Sequence, residues 1–203
     1  MTTISATTSK FRTTRTTATT TKVVAKLLCA ALLAALMNGC SDPEGIFAPD
    51  SAPVRAFRAR LDSHPSATAV LQSRCPSPIR VLRLSVDRPV TEDILTLLQV
   101  TETHQVNTRH VRLLCGETVL SDAWNWYVPE RLSPAMNTLL EQTDTPFGRV
   151  VQQTAFRRER LETRFPGEVS GIVLENRALL RRGTDGAPIS LVVEDYLPAA
   201  LRP

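Results

Sequence analysis

One stretch constrains the fold of this chain more than any other: residues 109–149, RHVRLLCGETVLSDAWNWYVPERLSPAMNTLLEQTDTPFGR. If its first arm is extended, Arg109, Val111 and Leu113 share a face, because successive side chains of a strand point to opposite sides. A guanidinium among apolar neighbours is costly unless it meets a carboxylate or an anionic ligand. Gly116-Glu117-Thr118 supplies a turn, and the return arm carries Trp124, Trp126 and Tyr127 before Pro129 stops it. The pattern predicts a β-hairpin, then a helix entered through Ser133-Pro134 with Met136, Leu139 and Leu140 facing inward, then a turn at Pro146-Phe147-Gly148.

Around this centre the chain alternates short helical and extended segments. Ser66 is placed to cap a helix running to about Arg74. Residues 79–86, IRVLRLSV, form a candidate strand whose apolar phase switches at Leu82, which predicts a bulge or burial on both faces. Thr91 precedes Glu92 and Asp93, and Ile94, Leu97 and Leu98 follow at helical spacing. Three further strands are expected at about 156–165, 170–181 and 189–197, the last two joined by Gly183-Thr184-Asp185-Gly186. The sum is an α+β domain, a mostly antiparallel sheet with helices packed on one side.

The N-terminal region is of another kind. Residues 2–21 are dominated by threonine and have no apolar period. Residues 23–36, VVAKLLCAALLAAL, are apolar but shorter than the roughly 20 residues of a membrane span. Behind basic residues and before Gly39-Cys40 they read as an export signal occupying 1–39. A small residue directly before cysteine is similar to the bacterial lipobox. On that reading Cys40 is lipidated, residues 40–53 tether the domain 54–203, and the protein faces the periplasm from a membrane of the cell envelope. A plain signal cleaved elsewhere, or a retained anchor, also fits. Five of the 24 basic residues precede Cys40, leaving 19 against 20 acidic ones. That balance argues against nucleic acid as a partner.

Four motifs in order, Arg109-His110-Val111-Arg112-Leu113, Tyr127-Val128-Pro129, Pro146-Phe147-Gly148-Arg149 and Glu194-Asp195-Tyr196-Leu197-Pro198, resemble the chorismate pyruvate-lyase family and its wider chorismate lyase-like relatives. Those relatives include the UTRA-type effector-binding domains of transcription regulators. The resemblance implies conversion of chorismate to 4-hydroxybenzoate and pyruvate without metal or cofactor. Arg109 would grip the substrate carboxylate. Glu194 would lie by the far end of the ring, as hydrogen-bond partner or general acid and base. Ala67 and Phe147 would contribute backbone contacts, and Gly148 would permit close approach. One extra residue before Cys115 leaves Arg112 or His110 open as the ligand-facing residue, and Asn125 stands where the lyases carry arginine.

The remaining candidates have plainer readings. Cys75 and Cys115 can pair in an oxidising compartment or remain free. His64, His104 and His110 lack metal-ligand spacing. Arg157, Arg158 and Arg160 read as solvated strand residues. Two functions follow from the resemblance: a lyase acting on chorismate or a similar cyclic carboxylate, or an envelope lipoprotein that holds a small aromatic acid without turning it over.

Overall fold

The alternating segments form one six-stranded sheet in the computed structural model, which describes residues 3, 45, 47–86 and 88–202. The strands are β1 (Arg80–Leu84), β2 (Asn107–Cys115), β3 (Thr118–Tyr127), β4 (Arg157–Arg164), β5 (Leu174–Arg181) and β6 (Pro188–Tyr196). Their order is β1-β2-β3-β6-β5-β4, and every neighbouring pair is antiparallel. The helices are α1 (Ala52–Ser63), α2 (Ala67–Gln72), α3 (Glu92–Leu98), α4 (Pro134–Gln142) and α5 (Phe147–Val150). Residues 1–41 and 42–203 separate into two units, and these elements all belong to the second. Cys40 and, save residue 3, residues 1–39, which the sequence suggests are an export signal, lie outside the described residues. Among those described, no helix is long and apolar enough to cross a membrane.

The central hairpin follows the expected register. Arg109 lies opposite Asn125 and Val111 opposite Ala123, with a bulge between Leu113 and Leu114. β3 pairs onward with β6, setting Ala123 beside Glu194 and Asn125 beside Val192. These residues define a front face, on which α1, α2, α4 and α5 pack over Val111, Leu113, Tyr127, Val192 and Tyr196. Phe57 of α1 meets Tyr196 edge-on at 5.1 Å. Each such buried aromatic contributes a few kcal/mol through lost apolar surface. On the back face α3 sets Ile94, Leu95 and Leu98 against Trp124, Trp126 and Val193. The α+β class and antiparallel sheet stand as read, most helices gathering on the front.

Local signals acted as chemistry required. Ser66 and Ser133 cap α2 and α4, accepting hydrogen bonds from the Ala69 and Met136 N–H groups. The phase switch in residues 79–86 has another cause than a bulge or double burial. β1 is an unbulged edge strand with only Val81 buried, and Leu82 and Val86 face solvent. Leu139, expected inside, is also exposed, because α4 buries the narrower stripe of Met136 and Leu140. Cys75 and Cys115 are joined by a disulfide that ties the entry to β1 to the end of β2. At Gly183 a Cβ would sit 2.4 Å from the Ala155 carbonyl, so the β5–β6 turn can approach β4 only without a side chain.

Candidate functional site

The front face does not close completely. Val111 and Leu113 of β2, Ala123 and Asn125 of β3, Val192 and Glu194 of β6 and Arg158 of β4 floor a cavity roofed by the starts of α2 and α5. Ser66, Ala67 and Thr68 form one side of the roof, and Pro146, Phe147 and Gly148 the other. The enclosed space is about 50 Å³, room for a few water molecules. A second hollow of about 340 Å³ shares Pro65, Ser66, Thr68, Gly148 and Phe156 as walls and opens outward. Four residues implied by the resemblance, Ala67, Phe147, Gly148 and Glu194, thus line one cavity although they stand far apart in the chain.

The charge on the cavity floor is already matched. Both terminal nitrogens of Arg158 reach the Glu194 carboxylate, and the Tyr196 hydroxyl donates to Oε2 of Glu194 at 2.9 Å. Burial works against the Arg158 charge, but Glu194, helped by Tyr196, outweighs it and holds the guanidinium above its ordinary value. Burial, and next the Glu194 charge, push the Tyr196 phenol well above its usual range, so it remains a donor.

Asn125 is different. It is 5% exposed, lines the cavity, and its amide has no hydrogen-bond partner among the described residues. The first backbone N–H groups of α2 and α5 have no carbonyl within their own helices, as at any helix start, and they border the same space. The cavity thus offers donors beside Val111, Leu113, Ala123 and Val192, the apolar part of its floor.

Arg109 does not hold the position expected for it. It faces the front and is 3% exposed, but its guanidinium donates to the carbonyls of Thr145 at 2.9 Å and Thr143 at 3.0 Å. Its Nε is buried without a hydrogen-bond partner among the described residues. Burial, and next the charge of Arg83, lower its pKa, while Tyr127 and Asp144 partly offset them. Arg109 therefore fastens the segment that leads into Pro146-Phe147-Gly148, and the cation beside Glu194 is Arg158. Reading Arg158 as solvated was wrong: β4 bonds to β5 with Arg158 opposite Leu180, which turns it inward. The signal was present in phase, since Arg158 stands two residues after Phe156 on the same side.

The two alternatives for the ligand-facing position lie on the back face. Arg112 donates to Asp122 at 2.9 Å, and His110 stacks on Trp124 with ring centroids 4.1 Å apart. Of the three, Arg109 alone shares the cavity's side of the sheet. His64 accepts the Ser66 N–H at Nδ1. Among the described residues no three His, Cys, Asp or Glu side chains gather as a metal site.

Comparison with known proteins agrees with this architecture. The chain is 35% identical over 173 residues to the uncharacterized protein y4mC of Sinorhizobium fredii, covering 70% of this chain and 73% of that one. No family model matches it. Among solved structures, PhnF from Mycobacterium smegmatis aligns at 12% identity with a TM-score of 0.51, over 82% of this chain and 93% of that one. The effector domain of the same PhnF aligns at 11% identity and a TM-score of 0.46, over 59% and 80% of the two chains. The full-length likeness shows the fold, that of chorismate lyase-like domains.

Proposed function

This chain belongs to the same family as the uncharacterized protein y4mC of Sinorhizobium fredii, and from that premise we propose that its domain is a receptor for a small organic acid held in the front-face cavity. One observation carries the proposal: the Asn125 amide and the Ala67, Thr68, Phe147 and Gly148 backbone N–H groups, which make no hydrogen bond among the described residues, border a hollow whose floor is partly apolar, through Val111, Leu113, Ala123 and Val192. Small-molecule sites have this composition, an apolar lining with a few polar groups that fix orientation. Among the described residues the floor has no spare cation, because Arg158 is committed to Glu194. A ligand with one carboxylate and an apolar ring suits it, with the ring extending past Phe156 into the outer hollow.

Binding without turnover is the reading the geometry favours. In the lyase reading an arginine grips the substrate's acid, whereas Arg109 is spent on loop carbonyls and Asn125 stands where the lyases have a cation. Glu194 nevertheless borders the cavity with a hydroxyl donor beside it, so conversion of chorismate belongs in the test. With the 42–203 unit, 4-hydroxybenzoate and related monocarboxylates should raise the melting temperature. A ligand at 100 times its Kd stabilises by about 2.7 kcal/mol. Asn125→Leu should remove the shift while leaving the fold intact. Formation of 4-hydroxybenzoate from chorismate would establish the enzyme instead, and absence of any shift across the acids would end the receptor reading.

We also infer export, with lipidation at Cys40 and a periplasm-facing domain. The Cys75–Cys115 disulfide supports this, since such bonds persist in oxidising compartments. Labelled palmitate should enter the full-length chain and not its Cys40→Ser variant; equal labelling of both would refute lipidation there.

A further inference from the structure

The back face holds a further hollow, of about 530 Å³, whose walls include Trp124, Asp122, Asp195, Arg88 and Arg112. Asp195 is 4% exposed, its Oδ1 receives no N–H or hydroxyl hydrogen bond among the described residues, and its Oδ2 faces Arg88 at 3.6 Å. A buried carboxylate so poorly satisfied calls for an explanation. Glu175, opposite it on β5, adds negative charge and can share a proton with it through a side-chain hydrogen bond, but supplies no positive charge and is itself drawn toward Arg164, while Asp122 is occupied by His110 and Arg112.

Arg88 is held unlike the other inward-turned arginines. Arg131, Arg109 and Arg158 each donate two or more hydrogen bonds. The guanidinium of Arg88 makes none among the described residues and rests 3.4 Å from the centre of the Trp124 ring, on a side chain that is 41% exposed. His110 supports the indole by stacking on it. An aromatic face beside a buried carboxylate is the composition that recognises organic cations. Here a loosely held side chain of the protein itself fills that place.

We propose that this hollow is a binding site for a small guanidinium- or amidinium-bearing cation, for which Arg88 is a tethered and displaceable stand-in. With Arg88 swung outward, Asp195 keeps no cation of its own, and the incoming group would lie on Trp124 and donate to Asp195. The site is on the opposite side of the sheet from the acid cavity and does not depend on it.

The probe is methylguanidinium chloride, titrated into the full chain carrying Trp126→Phe, so that the fluorescence comes from Trp124. Sodium chloride at equal ionic strength is the control. Arg88→Ala in that background should show saturable quenching, and the parent should bind about ten-fold or more weakly, because its own side chain competes intramolecularly. Adding Asp195→Asn should abolish the quenching. If Arg88→Ala fails to fold by circular dichroism, Arg88→Gln takes its place. Quenching that is unsaturable, reproduced by sodium chloride, or equal with and without Arg88 overturns the proposal.

Discussion

Glu194 and Asp195 are consecutive carboxylates on β6, and their surroundings could hardly differ more. Glu194 faces front, bridged by Arg158 and receiving the Tyr196 hydroxyl. Asp195 faces back, with one oxygen receiving no N–H or hydroxyl among the described residues and the half-exposed Arg88 for company. Alternation along a strand puts neighbours in separate environments, and the two faces solve the cost of burial in separate ways. The front ion pair is held by several hydrogen bonds, as the floor of a shaped cavity needs. On the back face burial, and next the charge of Glu175, push the Asp195 pKa up to about 7.

Removing the cation on each side is the most direct way to break this comparison. Arg158→Ala leaves Glu194 buried without its partner and should cost about 3–5 kcal/mol in urea unfolding. Arg88→Ala should cost less than about 1 kcal/mol, since its pair is loose and half in solvent. Equal losses would show that the two carboxylates are anchored alike.

The next effect concerns the edge that bounds the cavity. Reducing the Cys75–Cys115 bond, which spans 40 residues, should destabilise the domain by about 4 kcal/mol, largely through the freedom returned to the unfolded chain. The back face should be affected no more than the front, because unfolding remains cooperative. Hydrogen exchange that opens β1 and β2 alone would contradict this.

The smallest effect sharpens the contrast through pH. A carboxyl whose pKa is raised on folding contributes most below its unfolded value, near 3.8, and that contribution is lost as pH rises to about 7. Asp195→Asn should therefore flatten the fall in stability over that window, measured as melting temperature against pH. An unchanged slope would mean that Asp195 is charged throughout.

What could be read from residue order alone was whatever depends on period and turn chemistry. The hairpin and the serine caps at Ser66 and Ser133 fall within that reach; the meeting of Ala67, Phe147, Gly148 and Glu194 at one cavity was implied only by the resemblance. Partnership was not legible. Arg109, Arg112 and Arg158 carry the same guanidinium, and choosing among them takes the face each strand presents and the loop each can reach. Arg158 looked solvated because its strand has almost no apolar alternation, yet pairing with β5 turns it onto Glu194. Arg109 looked ligand-bound because its burial demanded an acceptor, and the Thr143 and Thr145 carbonyls met that demand from 34 and 36 residues away.

Local sequence thus determined where strands and helices start and stop, since caps, turns and side-chain alternation act over a few residues. Tertiary structure decided which charges meet, because the stability of a buried ion depends on groups brought together only when the sheet is assembled.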